Sequence, residues 1–99
     1  MPFADALLRQ FKFEKHGNEF PFATEAEYEA AADAFMGQAL TPPARECVRE
    51  SGDRVRFNRT SRFLAVQAPS GFLKTFHRPS DRYMKLGYFR WECGRTDLG

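Results

Sequence analysis

Ligands for a metal ion are scarce in this sequence. It holds only two histidines and two cysteines, and no carboxylate cluster accompanies either histidine at a ligating spacing, so no metal centre is expected. Cys47 and Cys93 could pair, but two cysteines alone make neither a disulfide scaffold nor a zinc site. Both are expected to be ordinary thiols of a cytosolic protein. No apolar run approaches a membrane span, and the N-terminus lacks the charged-then-apolar layout of a signal peptide, so no membrane segment is expected. Gly52, Gly71 and Gly87 stand alone, which leaves no phosphate-cradling loop and no cofactor to expect. The serines at 51, 61, 70 and 80 lack the Gly-x-Ser-x-Gly setting of a nucleophile.

Aromatic residues, by contrast, are plentiful. Eleven Phe, three Tyr and one Trp occur among 99 residues, enough large side chains for the one core that a single domain of residues 1–99 can build. The net charge of +2 conceals an asymmetry. Residues 1–44 carry three basic and seven acidic side chains, whereas residues 45–99 carry twelve basic and six acidic ones. Eleven of the fifteen cations are arginine, whose planar guanidinium suits bidentate contact with phosphate. The second half reads as an anion-binding surface and the first as its support, although arginines alone can simply solvate a sheet.

Hydrophobic periodicity predicts a first helix over residues 3–15, with Ala4, Leu7, Leu8 and Phe11 as its stripe and Gly17 as its stop. Thr24 followed by Glu27 is a capping box. It opens a second helix that runs to about residue 40, with Tyr28, Ala31, Ala32, Phe35, Met36 and Ala39 facing inward. Glu25, Glu27, Glu29 and Asp33 belong to that cap and a solvated face. After Pro42-Pro43 the period changes to two. Strands are predicted over residues 45–50, 54–58, 62–67 and 72–78, joined by short turns, with a possible fifth over residues 83–93. The fold class is therefore α+β, two N-terminal helices on one face of a four- to five-stranded antiparallel sheet.

Alternation assigns faces within each strand. Val55 and Phe57 are expected to meet the helices, leaving Arg54, Arg56 and Asn58 on the open side. On the last strand Phe72 and Phe76 are the core candidates, so Thr75 and His77 project together from the opposite face. Both histidines sit among cations, in Lys15-His16-Gly17 and Lys74-Thr75-Phe76-His77-Arg78. Histidine is the side chain whose ordinary pKa suits both proton acceptance and proton donation near neutrality. His16 ends a helix, where the macrodipole favours imidazolium and Lys15 opposes it. Taken singly, His16 could equally be an exposed capping residue and His77 a surface residue of a strand. If helix packing brings His16 to the rim of that open face, a two-histidine, arginine-lined cleft results.

Lys15-His16-Gly17-Asn18-Glu19-Phe20, then Thr24 and Tyr28 one turn apart, then Gly52-Asp53-Arg54-Val55-Arg56-Phe57 and Lys74-Thr75-Phe76-His77-Arg78-Pro79, follow one another in an order that resembles the colicin D-like and contact-dependent-inhibition tRNase toxins. These belong to the barnase, EndoU, colicin and RelE-like RNase superfamily. The resemblance covers roughly residues 7–85. It implies a helical N-terminal part, a four-stranded antiparallel sheet and metal-independent endoribonuclease activity, often on tRNA. It makes His16 a general acid or base, Lys15 a charge stabiliser and Thr75 a hydrogen-bond donor to phosphate. An aromatic residue is usual where this chain has His77, and Phe20-Pro21 stands in place of a more usual Phe-Gly.

The expected protein is thus an RNase toxin whose 2′-hydroxyl chemistry leaves a 2′,3′-cyclic phosphate. Its expected catalytic residues are His16, Lys15, Thr75 and His77. Lys12, Arg54, Arg56, Arg78 and Tyr83 would bind RNA, with Tyr83 or an exposed Phe stacking a base. The partners would be RNA and an acidic immunity protein or antitoxin. The alternatives are a toxin that cleaves mRNA on the ribosome, a non-catalytic RNA-binding module, or a domain that keeps the signature without the activity.

Overall fold

The computed structural model describes residues 2–80 and 87–94. Its elements are helix α1 (Ala6–His16), a 3-10 turn (Gly17–Glu19), helix α2 (Glu25–Gly37), strands β1 (Ala44–Val48), β2 (Arg54–Asn58), β3 (Leu64–Gln67) and β4 (Leu73–His77), and helix α3 (Tyr88–Gly94). The strands form one antiparallel meander in the order β1-β2-β3-β4. This is an α+β domain.

Local chemistry sets the boundaries. Asp5 caps α1, its carboxylate accepting the Leu8 N–H at 2.7 Å, which starts the helix later than periodicity suggests. Phe3 is instead drawn beside β4, where the Leu73 N–H donates to the Pro2 carbonyl at 2.9 Å. Thr24 caps α2 and accepts the Glu27 N–H at 3.2 Å. Gly17 does not reverse the chain after α1. It continues right-handed into the 3-10 turn, and a Cβ there would lie 2.7 Å from the Phe13 ring. That close approach requires glycine.

The sheet is covered on both sides. On one face Ala65, Leu73 and Phe76 pack with Phe3, Phe20, Tyr28, Ala32, Phe35 and Met36. Here the Tyr28 hydroxyl donates to the Phe76 carbonyl. On the other face Val55, Phe57, Leu64 and Val66 lie beneath α3, with Phe89 stacked on Phe57. Leu7 and Phe11 of the expected α1 stripe are exposed, whereas Leu8 and Phe13 reach the core. No helix among the described residues is long and apolar enough to cross a membrane.

Three expectations are corrected. The segment 88–94, read as part of a fifth strand, is helix α3; its Tyr88 and Phe89 cover a sheet face instead of extending its edge. Cys47 and Cys93 are not free thiols but a disulfide that ties β1 to α3. The facing of β2 is also inverted. Val55 and Phe57 turn away from α2, and Arg56 turns towards it, only 4% exposed. Its guanidinium donates to the carbonyls of Phe35 (2.9 Å) and Gln38 (2.7 Å) at the end of α2 and to Glu46 (2.9 Å).

Candidate functional site

Register carries the site from one strand to the next. Leu64 pairs with His77 and Val66 with Thr75, so His77 and Thr75 extend the row of Val55, Phe57, Leu64 and Val66 toward the β4 edge. α1 runs along that edge and delivers His16 at its last turn. The two imidazoles stack, with ring centres 4.8 Å apart and planes at 23°.

Different partners hold the two rings. His16 Nδ1 lies 3.0 Å from Glu19 Oε2 across the 3-10 turn. Glu19 Oε1 accepts the Arg78 N–H at 2.8 Å, and the Arg78 guanidinium donates to the carbonyls of Glu19 and Ser61, both at 3.1 Å. The turn is thereby tied to the end of β4. His77 Nε2 lies 3.0 Å from the Tyr88 hydroxyl, which donates to Glu92 Oε2 at 2.9 Å. A phenol has one proton. Because it goes to Glu92, His77 Nε2 must itself be the donor, and Nδ1 is the acceptor. The Thr75 hydroxyl lies 3.4 Å from that Nδ1.

Behind this chain stands a buried ion-pair network. The Arg49 guanidinium donates to the Glu92 carbonyl at 2.7 Å and to Glu92 Oε1 at 2.9 Å, and meets Asp53 at 3.4 Å. Lys74 Nζ donates to the same Asp53 oxygen at 2.9 Å. Burial pushes the Asp53 carboxyl up, but the Lys74 ammonium together with Ser51 and Arg49 outweighs it and holds the group below the usual carboxylate range. His77 moves the other way. Burial, then the neighbouring His16 and the lysines Lys12 and Lys15, push it down to about 4 against the pull of Glu19. His77 is therefore a neutral imidazole at pH 7.

The histidine pair and most of its partners line a cavity of about 1070 Å³ open to solvent. It brings together His16, Lys15, Thr75, His77, Lys12 and Arg78 from the sequence reading. It does not include Arg54 or Arg56, which lie on the opposite face. There Arg54 pairs with Glu46 at 3.0 Å and Gln67 at 2.7 Å. Burial pushes Glu46 up, but these two arginines outweigh it and hold the carboxyl low. Tyr83 lies outside the described residues. Sequence reasoning missed Glu19, Arg49, Lys74, Tyr88, Trp91 and Glu92, all of which line the cavity. Glu19 and Lys74 lie inside the motifs that carry the resemblance, whereas Tyr88, Trp91 and Glu92 fall in a segment that reads as a strand and folds as a helix.

Among the described residues no three His, Cys, Asp or Glu side chains gather to hold a metal ion. The chemistry at hand is proton transfer beside an anion, with cations on several sides of one imidazole pair. No family model matches the chain, and no curated protein matches it.

Proposed function

We propose that the cavity is the active site of an endoribonuclease toxin that cleaves RNA without a metal ion, with tRNA as the favoured substrate. The observation that carries this reading is the stacked pair His16 and His77, each imidazole held by a different partner beside Lys12 and Lys15. Cleavage by a ribose 2′-hydroxyl needs one group to take a proton and another to give one. Neutral His77, its Nδ1 unprotonated, takes the 2′-hydroxyl proton as the oxygen attacks the adjacent phosphorus. The entering phosphodiester brings negative charge, which raises the basicity of that buried ring. Lys12, Lys15 and the Thr75 hydroxyl meet the charge that builds on the phosphorane. The P–O5′ bond then breaks, and the 5′-oxygen takes a proton from His16, whose Glu19 neighbour is the partner an imidazolium needs. The products are a 2′,3′-cyclic phosphate and a 5′-hydroxyl. Solvent exchange resets both rings.

The choice of tRNA rests on the resemblance alone, as does an acidic immunity protein or antitoxin that would cover the cationic cavity. Cleavage of mRNA on the ribosome uses the same chemistry and is separated by its substrate. A second reading has an observation of its own. His77 is only 9% exposed and both its ring nitrogens have neighbours, as a histidine that braces a non-catalytic RNA-binding surface would. Incubating purified protein with total tRNA and mRNA in EDTA, then mapping ends, decides between them. New 5′-hydroxyl and cyclic-phosphate ends that His16→Ala abolishes support the enzyme. Intact RNA with retained binding supports the module and ends the nuclease reading.

A further inference from the structure

Two large aromatic side chains remain in water at the mouth of the cavity. Trp91 on α3 is 57% exposed and Phe11 on α1 is 55% exposed, and both line the opening. They belong to different walls, one on each of the helices that flank the histidine pair. Trp91 stacks on Tyr88, ring centres 5.6 Å apart and planes at 28°, and Tyr88 is itself held by His77 and Glu92. The indole is thus a braced platform. Lys12 Nζ sits 5.9 Å from the Phe11 ring centre, and Lys12 and Lys15 follow Phe11 toward His16.

A ligand that satisfies both features needs a flat π face and negative charge in one molecule. An acidic peptide offers the charge without the face. An apolar ligand offers the reverse, and a duplex hides its base faces in the stack. An unpaired nucleotide within a strand offers both, and the open cavity of about 1070 Å³ has room for one. We propose that Trp91 and Phe11 form a stacking subsite for unpaired bases of a single-stranded RNA, whose phosphates lie over Lys12 and Lys15. This rests on the reading of the cavity as an RNA site and adds what that site selects: unpaired bases, with the base itself and not only its phosphate carrying affinity.

Trp91 is the only tryptophan of the chain, so its fluorescence reports the subsite directly. The titration uses the wild-type protein with three probes of equal length that lack a 2′-hydroxyl and cannot be cleaved by it. These are a single-stranded deoxyoligonucleotide, an abasic strand and a duplex. The expected result is quenched, shifted emission with the single strand. Binding of the abasic strand should be weaker by about tenfold or more, and duplex binding should be weaker again. Phe11→Ala, a change at an exposed position, should weaken the single strand several-fold while leaving circular dichroism unchanged. Equal affinity for the abasic strand or the duplex, or no quenching, overturns the proposal. Cleavage of RNA by a protein that fails here would leave the nuclease reading standing, whereas stacking without cleavage would remove that reading and keep this one.

Discussion

The imidazole of His16 stacks on that of His77 at 4.8 Å, joining the last turn of α1 to the last residue of β4. Two imidazolium rings at that distance repel, so the pair carries one positive charge more readily than two. That suits alternating roles in one reaction. His16→Ala and His77→Ala are each expected to lower the single-turnover rate of RNA cleavage by about 10²–10⁴. The double variant should fall little below the worse single one, because the two groups act as a unit. A wild-type rate in either single variant would remove that residue from the chemistry.

Burial of His77 makes stability depend on pH. Its folded-state pKa of about 4 lies below the ordinary 6.5, so the unfolded chain binds more protons between those values. The stabilisation is complete above about pH 6.5 and is lost as pH falls toward 4. Between pH 7 and pH 5 the loss should be about 2 kcal/mol, read as a lower urea midpoint. Glu46 and Asp53, both held below their ordinary values, add their own loss mainly below about pH 4.5. His77→Gln should flatten the profile between pH 7 and pH 5. A slope unchanged by that substitution would place the titrating group elsewhere.

The Cys47–Cys93 disulfide closes a loop of 46 residues in sequence separation, worth about 4 kcal/mol in the chain-entropy account. It also anchors α3, which carries Tyr88, Trp91 and Glu92 to the cavity. Reduction should therefore lower the urea midpoint. Under native conditions it should also lower cleavage, as Tyr88 leaves His77. Paired serine substitutions should do the same without reductant. Full activity after confirmed reduction would mean that Phe89 on Phe57 and Arg49 on Glu92 hold the helix unaided.

Much of the fold was legible because its signals are local. The Thr24–Glu27 cap, the apolar stripe of Tyr28, Ala32, Phe35 and Met36, and the change to a period of two at β1 each follow from neighbouring residues. Thr75 and His77 could be placed on one face for the same reason. What failed is not local. Alternation says that Val55 and Phe57 share a face but not which helix covers it. Here both faces are covered, and Arg56 finds α2 carbonyls that no sequence pattern announces. The helix at Tyr88–Gly94 lays Tyr88 and Phe89 on the sheet beneath it, and Cys93 finds Cys47 only through that packing. Arg49, Glu92 and Tyr88 were therefore beyond reach, although they shape the surroundings of His77.

Arg56 and Lys15 should respond in opposite ways. Arg56→Ala removes a buried donor from two carbonyls and Glu46 and should cost about 3–5 kcal/mol of stability. Under conditions where it is folded, its affinity for RNA should match the parent. Lys15→Ala should leave the unfolding free energy within about 0.5 kcal/mol and reduce the slope of log affinity against log salt by about one. A loss of affinity in folded Arg56→Ala would return that residue to the RNA surface.

In the proposed reaction Tyr88 acts through His77 and is a positioning residue. Its hydroxyl accepts the Nε2–H of His77 and donates its own proton in a hydrogen bond to Glu92, which keeps Nδ1 as the acceptor beside Thr75. Tyr88→Phe keeps the ring on Trp91 but releases the tautomer. The rate should then fall by about tenfold, with KM little changed, because binding groups remain while the fraction of correctly oriented imidazole drops. The same substitution removes a buried hydrogen-bond partner from Glu92 and costs about 1 kcal/mol in stability. Nitrogen-15 NMR of the His77 ring separates orientation from simple loosening. In the wild type the proton resides on Nε2, and in Tyr88→Phe the two tautomers exchange. Retention of the Nε2–H form with an unchanged rate would show that the fold alone orients the ring and that the chain from Tyr88 to Glu92 serves stability only.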